Sequence, residues 1–325
     1  MIGMEMRVLA SAVVFLAWAQ GASAVEGPAA AGPIGGTDIR QALPAPPGVY
    51  GGTVQAFAKS RGFVDGKGDR VPALREGKLV KAIGGPFLVY VPDTTVLGGT
   101  LTLGGIVPFV HQCGNLFAGE DRDCKTGMGD PYVEADWSRF FGTWRPSKHP
   151  DAYPIAEGLA VLFGLGAVLP LGEYDHRDLR AQAISAGTNI WDVSPAVAVT
   201  YTTAPWLAEG TEFSGKLFWN NYFTNHKTDY RAGDVLNLDF AVTEHVGPLQ
   251  VGLAGIYATQ LEDDRLAGRR IPPDGRRAEL LQLGGVAAYD MPSLGTSLKI
   301  KATTTAHAEN TVRYWSVVTS WITKF

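Results

Sequence analysis

R-Y-W-S-V-V-T-S-W-I-T-K-F, residues Arg313–Phe325, ends the chain on an aromatic. Read as a strand, its alternate side chains fall on opposite faces. Trp315, Val317, Thr319, Trp321, Thr323 and Phe325 share one face. Tyr314, Ser316, Val318, Ser320, Ile322 and Lys324 share the other. The first face is apolar and aromatic, and the second is mixed and ends in a charge. A barrel with lipid outside and water inside demands that division. An ordinary sandwich strand ending a soluble chain is the bland alternative.

Upstream, short alternating segments follow one another with turn residues between. Candidate strands lie near 49–60, 79–91, 98–112, 129–141, 156–171, 189–203, 211–224, 235–245, 249–261, 279–290, 296–308 and 313–325. Trp191, Val193, Pro195, Val197, Val199 and Tyr201 oppose Asp192, Ser194, Ala196, Ala198, Thr200 and Thr202. Pro195 predicts a bulge, because proline cannot donate to the ladder. Segment 156–171 is apolar on both faces, and its register stays open. Long charged connections (61–78, 113–128, 172–188, 225–234, 262–278) alternate with short ones (92–97, 204–210, 246–248, 291–295). Long outer loops and short periplasmic turns are the outer-membrane pattern. The 142–155 connection is long for a periplasmic turn. The fold class expected is all-β: a transmembrane antiparallel β-barrel of about twelve strands, closed because an unpaired edge in lipid is costly.

Net charge is −4, with 18% charged and 46% hydrophobic residues, which excludes disorder and a nucleic-acid footprint. Mean hydropathy near zero suits a barrel, whose inward polar residues dilute its outward apolar ones. Residues 1–24 read as a signal peptide cleaved after Ala24: one Arg, a short apolar core and small residues at the end. That implies export, with the bacterial outer membrane as destination. Val25–Pro47 is rich in Ala, Gly and Pro and reads as a flexible lead-in, a mobile tail sooner than a partial plug of the lumen. The barrel occupies 48–325. Cys113 and Cys124 predict a disulfide, exported proteins sitting in an oxidising space. A metal site with His111 and Asp121 lacks paired-ligand spacing, and no metal is expected.

Inward charges are candidates for the lumen lining: Glu134, Asp136, Asn237 and Asp239 on one side, Lys299 and Lys301 on another. Facing signs would set up a transverse field; the simpler expectation is that they pair and stabilise the wall. Inward Gly252, Ala254, Ala196 and Ala198 would widen the pore. Trp137, Trp191, Tyr201, Trp219, Trp315, Trp321 and Phe325 are candidates for aromatic girdles. Arg265, Arg269, Arg270, Arg276 and Arg277 crowd one outer connection, as a solvated face or a clamp for lipopolysaccharide phosphates. Residues Glu173–Asp178 read as a solvated loop before a cation site. No G-x-S-x-G, H-E-x-x-H or Walker loop occurs. Neither a catalytic residue nor a cofactor is expected.

Six stretches, in order along nearly the whole mature chain, carry a family resemblance. They are Pro46–Tyr50, Gly127–Asp130, Asn225–Asp234, Gln260–Asp264, His307–Asn310 and the terminal aromatic strand. The chain resembles the outer-membrane channel family encoded beside meta-pathway phenol-degradation genes. The terminal Phe also looks like the insertion signal read by the barrel-insertion machinery. The resemblance implies a monomeric twelve-stranded barrel passing small hydrophobic or aromatic molecules by passive diffusion. Two rivals remain. One is an outer-membrane lipid-modifying enzyme, for which His307 near Thr305 is a poor candidate pair. The other is a structural barrel that binds a surface partner through its loops.

Overall fold

The computed structural model describes residues 36–71, 78–115, 122–177, 181–182, 184–272 and 274–325. The stretch 1–24 expected to be a signal peptide and the first part of the lead-in lie outside the described residues, as do Asp121 and Asp178. Twelve antiparallel strands form one sheet that closes on itself. They are β1 (Gly48–Phe63), β2 (Lys78–Val91), β3 (Gly99–Ile106 and Phe109–Asn115), β4 (Asp123–Met128 and Tyr132–Arg145), β5 (Ile155–Val168), β6 (Asp192–Thr202), β7 (Thr211–Tyr222), β8 (Val235–Val246), β9 (Leu249–Gln260), β10 (Glu279–Met291), β11 (Thr296–Glu309) and β12 (Val312–Lys324). Each pairs with the next, and β12 returns to β1 from Tyr50↔Lys324 to Phe63↔Val312. The terminal stretch is therefore the strand that seals the ring. Among the described residues no helix is long and apolar enough to cross a membrane, which says nothing of strands.

Period two decides the faces. In β6 and at Trp191 just before it, Trp191, Pro195, Val197, Val199 and Tyr201 are exposed, while Asp192, Ser194, Ala196, Ala198, Thr200 and Thr202 are buried. Ten residue steps at about 3.4 Å, tilted about 40°, put roughly 26 Å between Trp191 and Tyr201 along the membrane normal, the height of an outer-membrane apolar band. The bulge expected at Pro195 is absent. The ladder to β7 runs Phe218↔Ala196 and resumes at Asn221↔Val193 in the same register, so the missing N–H leaves a gap without inserting a residue. In β5 the structure sets the register that pattern alone left open. Leu159, Phe163 and Leu165 face out; Ala160, Leu162, Gly164 and Gly166 face in.

β3 and β4 are each creased once, at Val107–Pro108 and at 129–131. Pro108 and Pro131 cannot donate to the ladder. The local pairing is replaced by Val107 N–H to Pro86 carbonyl (3.2 Å) and Gly129 N–H to Pro108 carbonyl (2.8 Å). Long outer connections alternate with short turns as expected, except that β3 and β4 extend farther than expected and shorten the loop between them. Tyr230–Arg231, Arg265–Leu266 and Arg269–Arg270 form a small three-stranded ribbon over the outer mouth.

Candidate functional site: the lumen and the segment across it

Part of the lead-in is inside the barrel. Over residues 36–47 the expectation of a mobile tail is corrected: Thr37–Leu43 crosses the lumen, held by side chains of the wall. Thr37 donates to Asp239 from its backbone N–H (3.3 Å) and its hydroxyl (2.7 Å). Asp38, fully buried, takes Lys299 at 2.8 Å and Lys301 at 2.7 Å. Arg40 donates to Glu212 from its backbone (2.8 Å), to Gln250 from Nε (2.6 Å), and pairs with Asp290 at 2.8 Å. Gln41 and Ala42 donate backbone N–H groups to Ser214 (3.3 Å) and Thr200 (3.2 Å). These bonds satisfy backbone groups of a non-helical chain that would otherwise be stranded inside the wall.

Apolar contacts finish the fit. Ile39 packs with Ala241, Ala254, Val286 and Ala288. Ala42 packs with Ala160, Leu162 and Ala198, with Leu43 and Phe140 against them. The inward alanines were expected to widen the pore. Instead Ala254 and Ala198 make seats for the crossing segment. A short side chain leaves room, and the chain's own residues occupy it.

The expected lumen-lining residues all face inward. Asn237 and Asp239 are fully buried and bonded to each other at 3.3 Å. Glu134 meets Lys216 at 2.5 Å, and Asp136 lies 3.8 Å from the same amine. Lys299 and Lys301 go to Asp38. The transverse field expected between these groups is thereby reduced: the two acids of β4 share one amine, Lys216, and the two lysines of β11 share one carboxylate, Asp38, each nearer than the facing wall. Gly164 and Gly166 of β5 leave the room into which Asp136 and Tyr132 lean; a Cβ at either would collide with them.

The interior splits into two arcs. From β6 to β11 the inward residues are mostly polar: Asp192, Ser194, Glu212, Lys216, Asn220 and Gln282 among them, all nearly or fully buried. Across β12, β1 and β2 the inward residues include Ile322, Val318, Val54, Ala56, Ile83, Phe87 and Val89, with Ser320, Ser316 and, toward the outer mouth, Lys81 on the same face. Their shared face follows from the pairs Ala56↔Val318, Ala56↔Ile83, Gly52↔Ile322 and Gly52↔Phe87. Val54, Ile83, Phe87, Val89 and Ile322 are only half-buried. The crossing segment covers the polar arc and leaves the apolar arc facing the hollow.

At the outer mouth, three of the stretches that carried the family resemblance fasten the connections, and two of them, Asn225–Asp234 and Gln260–Asp264, bond to each other. Asp130 binds the Gly172 N–H (2.9 Å) and the Thr188 N–H (2.6 Å) and hydroxyl (2.7 Å). Asn225 accepts from Asn189 at 2.7 Å. Asp264 accepts from the Tyr230 hydroxyl (2.5 Å), Gly233 N–H (2.9 Å) and Gln260 (2.6 Å). Burial outweighs these bonds and lifts the Asp264 carboxyl to about 6. Asp175 pairs with Lys125 and Arg177, so its neighbourhood is already neutralised. Arg270 and Arg277 both pair with Asp263 at 2.7 Å; Arg265 and Arg269 are exposed. His307 pairs outward with Glu309 at 3.3 Å, whereas Thr305 donates to the Tyr314 carbonyl at 2.9 Å and sits across a bulge from it.

Cys113 and Cys124 are disulfide-bonded where β3 and β4 pair. Trp191, Tyr201, Trp219, Trp321 and Phe325 are exposed on the outside. Trp315 packs tilted against Phe57 with ring centres 5.4 Å apart, and Trp137 against Phe163 at 6.1 Å, both also outside. Sequence reasoning missed Asp38, Arg40, Glu212, Lys216 and Gln250. Glu212, Ser214, Lys216 and Asn220 recur at period two in 211–224, a signal that was available. Asp38 and Arg40 carried none, since no local pattern says that a lead-in returns through the ring.

Among solved structures, the COG4313 outer membrane channel from Pseudomonas putida F1 is similar with a TM-score of 0.71 and 16% identity, covering 89% of this chain and 99% of that one. At that identity the likeness speaks for the fold alone. The β domain of the Bordetella autotransporter BrkA gives 0.43 at 12% identity, covering 85% of this chain and 99% of that chain, too low to carry an argument. No curated protein matches. A family profile described as "Putative MetA-pathway of phenol degradation" matches residues 60–320, and the chain belongs to that family.

Proposed function

We propose that the protein is an outer-membrane channel through which small hydrophobic or aromatic molecules diffuse passively. The observation that carries this is the division of the lumen. A porin for hydrophilic solutes lines its hollow with polar groups. Here the polar arc is occupied by Thr37–Leu43, and the face left to the hollow is mainly Val54, Ile83, Phe87, Val89 and Ile322, with Ser320 among them and Lys81 toward the outer mouth. An apolar solute loses little on entering such a passage, while a hydrated one must shed water against it without replacement. The family description and the printed name of the Pseudomonas putida relative, a channel, agree with this. Flux would follow the gradient and needs neither cofactor nor covalent step.

A lipid-modifying enzyme finds less support, since His307 and Thr305 do not face each other. A purely structural barrel has no use for an apolar arc kept clear of the crossing segment. The barrel would act as a monomer and be inserted through its β12 strand. Its arginine-rich 262–278 connection would meet lipopolysaccharide. Liposomes carrying the purified protein test the central point. Faster entry of a phenol-like solute than of a sugar of equal size supports it; equal entry, or none above protein-free liposomes, overturns it.

A further inference from the structure

The outer wall carries a trough. On the outward face of β2, Ala82 and Gly84 form a low floor. Phe57 and Gln55 of β1 stand on one side, Phe109 and His111 of β3 on the other, enclosing about 430 Å³. Phe57 and Phe109 are 39% and 55% exposed, so this hollow faces the bilayer and not the lumen. Polar groups line it as well. Thr319 donates to Gln55 (3.0 Å), Gln55 to Thr53 (2.8 Å), and His111 shares a bond with Thr126 (2.7 Å).

The same face changes character toward the outer mouth. Two residues beyond Phe57 comes Lys59, level with Val80 of β2 and Trp315 of β12. Arg61 follows at the bulge, and Lys78 stands two residues above Val80. All three cations are exposed, and among the described residues no carboxylate pairs with them. The tryptophan beside Lys59 marks the headgroup level. We propose that this wall binds one phosphorylated glycolipid of the outer leaflet. Its phosphates lie against Lys59, Arg61 and Lys78, and an acyl chain lies in the trough over Ala82 and Gly84. Charge complementarity selects the anionic headgroup, and the small floor between two phenyl rings selects the chain. This contact is separate from the 262–278 connection and does not depend on what the lumen passes.

The test is binding of bisphosphorylated lipid A to the purified barrel in nanodiscs, read by native mass spectrometry. K59Q/R61Q/K78Q is expected to weaken retention about fivefold per cation removed. Ala82→Phe, which fills the trough, is expected to weaken retention while leaving its salt dependence intact. All four positions are outward and exposed or half-buried, and heat-shifted gel mobility verifies that each variant is folded. Unchanged retention in the triple variant overturns the proposal. So does equal retention of phosphatidylglycerol, which would make the site one for any phosphate. Efficient cross-linking of two copies through Gln55→Cys would assign the trough to a dimer and overturn it likewise.

Discussion

Asp38 lies 2.7 Å from Lys301, and the two are 0% and 1% exposed. A charge pair with so little access to water ties the crossing segment to the far wall more firmly than a surface pair would. In Asp38→Asn the amide cannot neutralise Lys299 and Lys301. The segment can leave, however, and the lysines then face a wet lumen. The expected result is release of residues 36–43 with the barrel intact. Single-channel conductance should rise severalfold and approach that of a chain lacking 25–43. The heat-denaturation step of the barrel should barely move. Equal conductance in wild type and variant would show that the segment does not limit flux.

The apolar arc should set what passes. Ile83 is inward and half-buried beside Ala56. Ile83→Lys adds a second charge beside the inward Lys81, deeper along the apolar arc, without touching the Asp38 latch. Entry of an aromatic solute into liposomes should fall about tenfold, in line with a desolvation cost of 1–2 kcal/mol. A small ion's conductance should fall far less.

The outer clamp should respond to pH. Burial raises the Asp264 carboxyl from 3.8 to about 6. The folded loop therefore holds a proton that the open loop gives up. The extra stability is complete below the open-state value and is lost as pH rises through about 6, to a total of about 2–3 kcal/mol. Amide exchange at Gly233 and Gln260 should be slower near pH 5 than the intrinsic rate change explains, and faster above about pH 7. Asp264→Asn should flatten that dependence.

Seam closure should hang on Gly52. A Cβ there would run into the Trp321 carbonyl of the sealing strand, whereas one at Gly51 would collide with the movable ring of Phe325 and come no nearer than 3.4 Å to backbone, at the Phe87 carbonyl. Gly52→Ala should cost about 1–3 kcal/mol and lower the temperature at which the folded band is lost on gels. Gly51→Ala should cost less.

Twelve strands, their order and, outside β5, the face that the alternating residues take were legible in the sequence, because period-two alternation is a local property that lipid and water enforce on each strand separately. Trp191–Thr202 and Arg313–Phe325 show it without ambiguity. The Cys113–Cys124 partnership was also within reach, from compartment and count. The partners of the inward charges were not. Glu134 meets Lys216 across β5 and β6, and Lys301 meets Asp38 from 263 positions or so earlier in the chain, roughly the full circuit of the ring. The creases at Pro108 and Pro131, the absence of a bulge at Pro195 and the path of Thr37–Leu43 likewise belong to the tertiary structure. Alternation says which side of the wall a residue faces; only closure of the ring says what stands opposite it.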